Sequence, residues 1–149
     1  MLSTLSVSGL LELKRLTQFE TNTHQLLTIQ ELELAETIRN NTATDAIFLT
    51  AMVHNHPIPV WASRQMFLGY LGWVKNFGFE HAQREKITYA IYQGAPQAKQ
   101  LLKENTISYI YVSSREASLK PNMEFLTSFP VAFQNETTKI FDTRSLWQQ

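Results

Sequence analysis

The chain has 149 residues, a size that suits one ordinary domain able to hold a core without covalent staples. Its 44% hydrophobic and 11% aromatic content excludes disorder and collagen-like repeats, and the absence of cysteine excludes disulfides, thiolate metal sites and a cysteine nucleophile. Thirteen basic side chains balance thirteen acidic ones, which leaves no basic footprint for nucleic acid.

No stretch reaches the roughly 18 continuous apolar residues of a membrane-spanning helix. Residues 1–13 lack the basic start and apolar run of a secretory signal. Residues 1–27 read as a lead-in, with Leu10, Leu11, Leu13 and Leu16 on a short helical face and no clear period beyond Phe19. Residues 28–149 read as a single α/β domain.

Thr28-Ile29-Gln30-Glu31 fits a capping box, so a helix is expected from Thr28 to about Asn41, with Ile29, Leu32, Leu34, Ala35 and Ile38 supplying its apolar stripe. Ala46–Thr50 is a short apolar run between turn signals and predicts a buried strand. His56 precedes Pro57 and is held extended. Val60–Ala62 is expected as a second strand, followed by Ser63-Arg64 and a segment carrying Gly69 and Gly72. A helix is predicted over Glu80–Tyr92, stopped by Gly94, and another from Pro96 to about Asn105. Ile107–Val112 is the clearest strand, ended by Ser113–Glu116. A short helix over Pro121–Ser128 and two strands, Phe129–Phe133 and Thr138–Phe141, complete the chain.

This order predicts an α/β fold: a small three-layer domain, its sheet mostly parallel with an antiparallel C-terminal edge. The two runs Ala46–Thr50 and Ile107–Val112, separated by helices, are expected as parallel neighbours or near neighbours.

In an open α/β sheet, ligands sit outside the carboxyl ends of the strands. The predicted strands deliver His54, Asn55 and His56, then Arg64, then Arg115, to that edge. Arg84 on its helix and Tyr70 and Trp73 in the intervening segment should join them in one rim. Several uses are open to these residues. The histidines can be hydrogen-bonded scaffold, pocket groups or, given a third ligand, metal ligands; with only the pair visible and no cysteine, no metal site is expected. The arginines can clamp a phosphate or pair with Glu80, Glu85 or Glu116. Tyr70 and Trp73 can pack a loop or stack on a sugar. Gly69 and Gly72 suggest turns with positive φ. Ser113 or Ser114 with a histidine base lacks a nucleophile elbow, and no catalytic residue is assigned.

Taken together, Asn41–Thr50, His54-Asn55-His56-Pro57, Ser63-Arg64, Gly69-Tyr70-x-Gly72-Trp73, Arg84-Glu85, Ile91-Tyr92-x-Gly94 and Ile107–Val112 resemble, in order and spacing, the soluble C-terminal domain of bacterial polytopic membrane proteins. Those proteins are similar to C-type glycosyltransferases of the mannosyltransferase or oligosaccharyltransferase kind. The resemblance spans about residues 36–116. Ser63 stands where that pattern has glycine, Leu71 where it has proline, and Val74 or Lys75 where it has a second tryptophan.

The resemblance implies a non-catalytic accessory or substrate-positioning domain on the extracytoplasmic, periplasmic face of the membrane. Residues 1–27 would be juxtamembrane. The implied partners are the membrane-spanning part of its own parent chain and a lipid-linked sugar; no cofactor is expected, and the balanced charge argues against nucleic acid. The alternative is a stand-alone, cytoplasmic α/β domain that binds an anion or small ligand, or a hydrolase using the His–Ser–Arg rim.

Overall fold

The computed structural model describes residues 27–147, together with Gly9, Leu11 and Lys14. Most of the expected lead-in over residues 1–27 lies outside the described residues. Helix α1, Ile29–Asn41, begins at the capping box: the Thr28 hydroxyl accepts the Glu31 N–H at 3.1 Å, and the Glu31 carboxylate accepts the Thr28 N–H at 2.8 Å. Leu34, Ala35 and Ile38 form its buried stripe, whereas Ile29, expected on that stripe, is exposed at the helix end.

Strand β1, Ile47–Leu49, follows a polar turn. Helix α2, Pro57–Val60, then occupies part of the run expected as a strand over Val60–Ala62. Proline at the first helical position sets φ for a turn of helix, and the N–H groups of Trp61 and Ala62 both donate to the Pro57 carbonyl. The local apolar run therefore ends a helix, and the second strand, β2, falls later at Gln65–Met66.

Helix α3, Leu71–Asn76, was not evident in the glycine-containing segment; α4, Ala82–Tyr92, and α5, Ala98–Glu104, follow. Gly94 ends α4 in a Schellman arrangement. Its φ is +68°, its N–H donates to the Ile91 carbonyl, and the Ala95 N–H donates to the Ala90 carbonyl. A Cβ at Gly94 would lie 2.8 Å from Phe125 Cβ, so close packing as well as dihedral angle selects glycine here.

Strand β3, Tyr109–Val112, leads into a 3₁₀ turn at Ser114–Leu119. Helix α6, Met123–Leu126, and strands β4, Val131–Gln134, and β5, Lys139–Asp142, complete the sheet before a last 3₁₀ turn at Arg144–Leu146.

Among the described residues, five strands form one sheet in the order β2-β1-β3-β5-β4. β1 pairs in parallel with both β2 and β3, so the two runs read as parallel neighbours are direct neighbours. β3–β5 and β5–β4 are antiparallel. The sheet is thus mixed, parallel at the β2 end and antiparallel at the β4 end.

Alternation along the strands divides the core. Phe48, Tyr109, Tyr111 and Ile140 face one cluster with Leu34, Ala35, Ile38, Ile58 and Ala62 from α1 and the α2 region. Leu49, Ile110 and Phe141 face the other, with Ile87, Ile91, Tyr92, Leu102 and Leu126 from α4, α5 and α6. Each fully buried side chain of this kind contributes about 1.5–3 kcal/mol, so both faces of the sheet are strongly held.

Candidate functional site

At the carboxyl edge of β1, buried polar groups fix the loop that carries His54–His56. The His56 ring is fully buried: Nδ1 accepts the Ile58 N–H at 3.3 Å, and Nε2 lies 3.1 Å from Glu116 Oε1. With Nδ1 accepting, the proton sits on Nε2 and is donated to the carboxylate.

Glu116, also fully buried, accepts three further bonds. The Ala51 N–H reaches Oε1 at 3.0 Å, and the Ser113 N–H and hydroxyl reach Oε2 at 2.9 and 2.8 Å. One carboxylate thereby joins the ends of β1 and β3 to the histidine loop. Tyr92 adds a second tie from α4: its hydroxyl lies 3.0 Å from the Leu49 carbonyl and 2.7 Å from that of Tyr111. Burial, then the nearby Glu116 charge and Tyr111, push the Tyr92 phenol well above its ordinary pKa.

These ties assign structural work to several residues expected in the rim. His56 borders the cavity described below, but both ring nitrogens are engaged, so the His54/His56 pair offers no two-imidazole metal site. Ser113 Oγ donates to Glu116 and has no imidazole beside it. Glutamate stands between serine and histidine, so the hydroxyl meets a carboxylate already holding three other donors and not the imidazole base of a Ser-His-Asp order.

The three arginines do not converge. Arg64 is 8% exposed and wraps the C-terminus of α1. Nε donates to Thr42 Oγ1 at 2.9 Å, one terminal nitrogen to the carbonyls of Arg39 and Thr42 at 2.6 and 2.8 Å, and the other to those of Ala62 and Ser63 at 3.2 Å each. A guanidinium has five donors, and the five bonds use them all while meeting the negative end of the helix dipole. Arg115 grips Glu31 in α1 through Nε at 2.7 Å and a terminal nitrogen at 3.1 Å. Burial pushes Glu31 up, but the Arg115 bond, the Thr28 N–H and the Arg115 charge outweigh it and hold the carboxyl below its usual range. Arg84 donates to the Phe67 carbonyl at 2.9 Å, stands over the Phe67 ring, and lines a second cavity with Phe79 and Glu80.

What does converge is aromatic. His54, Asn55, His56, Arg64, Tyr70 and Trp73 border one concavity of about 480 Å³, completed by apolar groups such as Val53, Pro59, Val60 and Met66. The His54 ring stands edge-on to Tyr70, with centroids 5.2 Å apart, and to Trp73 at 4.9 Å; Tyr70 and Trp73 are 5.9 Å apart at 85°. Asn55 makes the turn with φ of +56°.

Gly69 and Gly72, expected as positive-φ turns, are not among the positive-φ glycines. Gly72 serves close approach instead: a Cβ there would lie 2.5 Å from Tyr70 Cε1, so the bare backbone of α3 is where the Tyr70 ring rests.

The site therefore presents an open, aromatic, mostly apolar surface. Its one guanidinium is saturated, and its polar edges are His54, Asn55 and Gln65. Such a surface suits a neutral ring or hydrocarbon better than a phosphate. Sequence reasoning missed the carboxylate hub, although Ser113-x-x-Glu116 has the spacing of a capping box and forms one. Among the described residues, no helix is long and apolar enough to cross a membrane. A scan of protein-family models finds none that matches the chain, and a search of the curated proteins likewise returns no match.

Proposed function

We propose that this chain is a non-catalytic accessory domain of a bacterial membrane glycosyltransferase-like protein. In this reading it stands on the extracytoplasmic face, with the membrane-spanning part of its parent chain as partner. Its aromatic cavity holds the sugar ring or prenyl portion of a lipid-linked sugar. The sheet and its two flanking clusters read as a rigid three-layer α/β scaffold for that cavity.

One observation carries the proposal. Several motif residues hold the scaffold together. Arg64 and Thr42 close the end of α1, His56 binds Glu116 together with Ser113, Tyr92 bridges two strands, and Gly94 stops a helix. His54, Tyr70 and Trp73 instead pack edge to face on one another at the surface of a concavity. A hydrolase or anion-binding reading finds less support, because the serine meets no imidazole base and the cavity lacks a guanidinium with a donor to spare.

The test is a tryptophan-fluorescence titration of the chain with farnesyl phosphate and with methyl glycosides of mannose, glucose and N-acetylglucosamine. Saturable quenching by at least one probe, weakened at least about tenfold in Trp73→Ala, with no turnover of an activated sugar, is the expected result. Turnover abolished by His56→Ala would favour the enzyme instead.

A further inference from the structure

The exposed large apolar side chains of the described residues are unevenly placed. Six of the eleven fall within residues 60–79: Val60, Trp61, Tyr70, Trp73, Phe77 and Phe79. Trp73 is 57% exposed, Phe77 75% and Phe79 66%. They adjoin one another. Trp73 and Phe77 are four residues apart along α3 and its C-cap, on one face, with the Phe77 N–H donating to the Trp73 carbonyl at 2.9 Å. The Phe77 and Phe79 rings are 6.5 Å apart. Phe79 lines the second cavity, which shares Met66 and Gly69 with the aromatic one.

We infer that this face rests on the surface of a phospholipid bilayer. Three features select that occupant over a protein partner. Five of the six side chains are aromatic: tryptophan and tyrosine are enriched at the membrane–water boundary, and phenylalanine with tryptophan forms the apolar face of helices that lie in it. No aspartate or glutamate occurs between Ala46 and Phe79, although the chain has thirteen; within residues 60–79 the exposed charge is Lys75, which suits an anionic headgroup layer. Glu80, at the border, shares its cavity with Arg84.

The third feature is where the lead-in meets the domain. Glu31, in the first turn of α1, holds Arg115, and the adjacent Glu116 holds His56 beside the aromatic cavity. The start of α1 and His56 on the cavity rim therefore share the carboxyl edge of the sheet, while Arg64, on the same cavity, holds the end of α1. This last point rests on the juxtamembrane reading above; the first two do not. Seated this way, the cavity opens into the headgroup layer, where a lipid-linked ring would be presented.

The experiment is sedimentation of the full chain with vesicles of phosphatidylcholine, with and without phosphatidylglycerol, for the unaltered sequence and for Phe77→Ser/Phe79→Ser. Neither phenylalanine lines the aromatic cavity and both are largely exposed, so near-ultraviolet circular dichroism should be unchanged. The unaltered chain should sediment with anionic vesicles. The double variant should bind them at least about tenfold more weakly. Lys75→Glu should weaken binding to anionic but not neutral vesicles.

A chain that stays in the supernatant overturns the proposal. So does equal vesicle binding by both sequences, which would assign adhesion elsewhere. Self-association lost in the double variant, without lipid binding, would make the occupant a second copy and overturn it too. Farnesyl phosphate titrated in free solution should bind both sequences alike, so failure of the bilayer face and failure of the cavity reading are separable.

Discussion

Replacing Glu116 by glutamine changes neither size nor burial, yet it removes one acceptor oxygen and a charge from the point where β1, β3 and the histidine loop meet. The geometry decides the outcome. If the new amide nitrogen took the Oε1 position, it would face the Ala51 N–H, and His56 could accept from it only by moving its proton to Nδ1, against the Ile58 N–H. If it took the Oε2 position, the Ser113 hydroxyl could turn to accept, but the Ser113 N–H would lose its acceptor.

The second arrangement is less costly. It leaves one part-buried donor, the Ser113 N–H, unsatisfied, about 1–3 kcal/mol, and weakens the surviving bonds from charged to neutral strength. A loss near 3 kcal/mol is expected in total, equivalent to about 6–12 °C in Tm for a chain of this length. Urea unfolding followed by circular dichroism should show the midpoint falling by more than about 1 M with little change in slope. A loss below about 1 kcal/mol would mean that the carboxylate is not the tie described, and the fixed shape of the His54–His56 loop would need another cause.

Three further outcomes follow from the same geometry. Ser63 has φ of +53°, at the position where the resembled pattern has glycine, so Ser63→Gly should stabilise the chain by about 1 kcal/mol in urea unfolding; a loss of stability would contradict the strain. Burial above all raises the phenols of Tyr92 and Tyr111, the latter to about 12. Because folding raises these pKa values, their contribution is complete below the unfolded value near 10 and is lost as pH rises toward the folded one. Tyrosinate absorbance from this pair should therefore appear together with unfolding at alkaline pH, not before it. Gly72→Ala should displace the Tyr70 ring while leaving stability unchanged or up to about 1 kcal/mol higher, since alanine favours helix; probe binding should fall several-fold, and unchanged binding would remove Tyr70 from the site.

Locally encoded features were the legible ones. The capping box at Thr28, the strands around Phe48 and Ile110 and the stop at Gly94 depend on residues within a few positions of one another, and all three are present. The meeting of His54, Tyr70 and Trp73 could be anticipated because parallel strands place successive loops at one edge.

The arginines could not be read in this way. A long side chain goes where tertiary structure supplies acceptors: Arg64 reaches Thr42, 22 positions back, and Arg115 reaches Glu31, 84 positions back. Short elements were hidden for a related reason. Proline imposed a helical turn on an apolar run that resembled a strand, and a glycine used for close packing in α3 looked like a turn residue.

The claim at the centre of this account is that the aromatic cavity receives the neutral part of a lipid-linked ligand without transforming it. Amide chemical-shift mapping during titration with mannosyl farnesyl phosphate tests it most directly. The predicted shifts centre on residues 53–56, 59–60, 65–66 and 69–73, saturate, and occur with the probe intact throughout. Shifts centred instead on Ser113 and Arg115, or the appearance of free mannose, would contradict it.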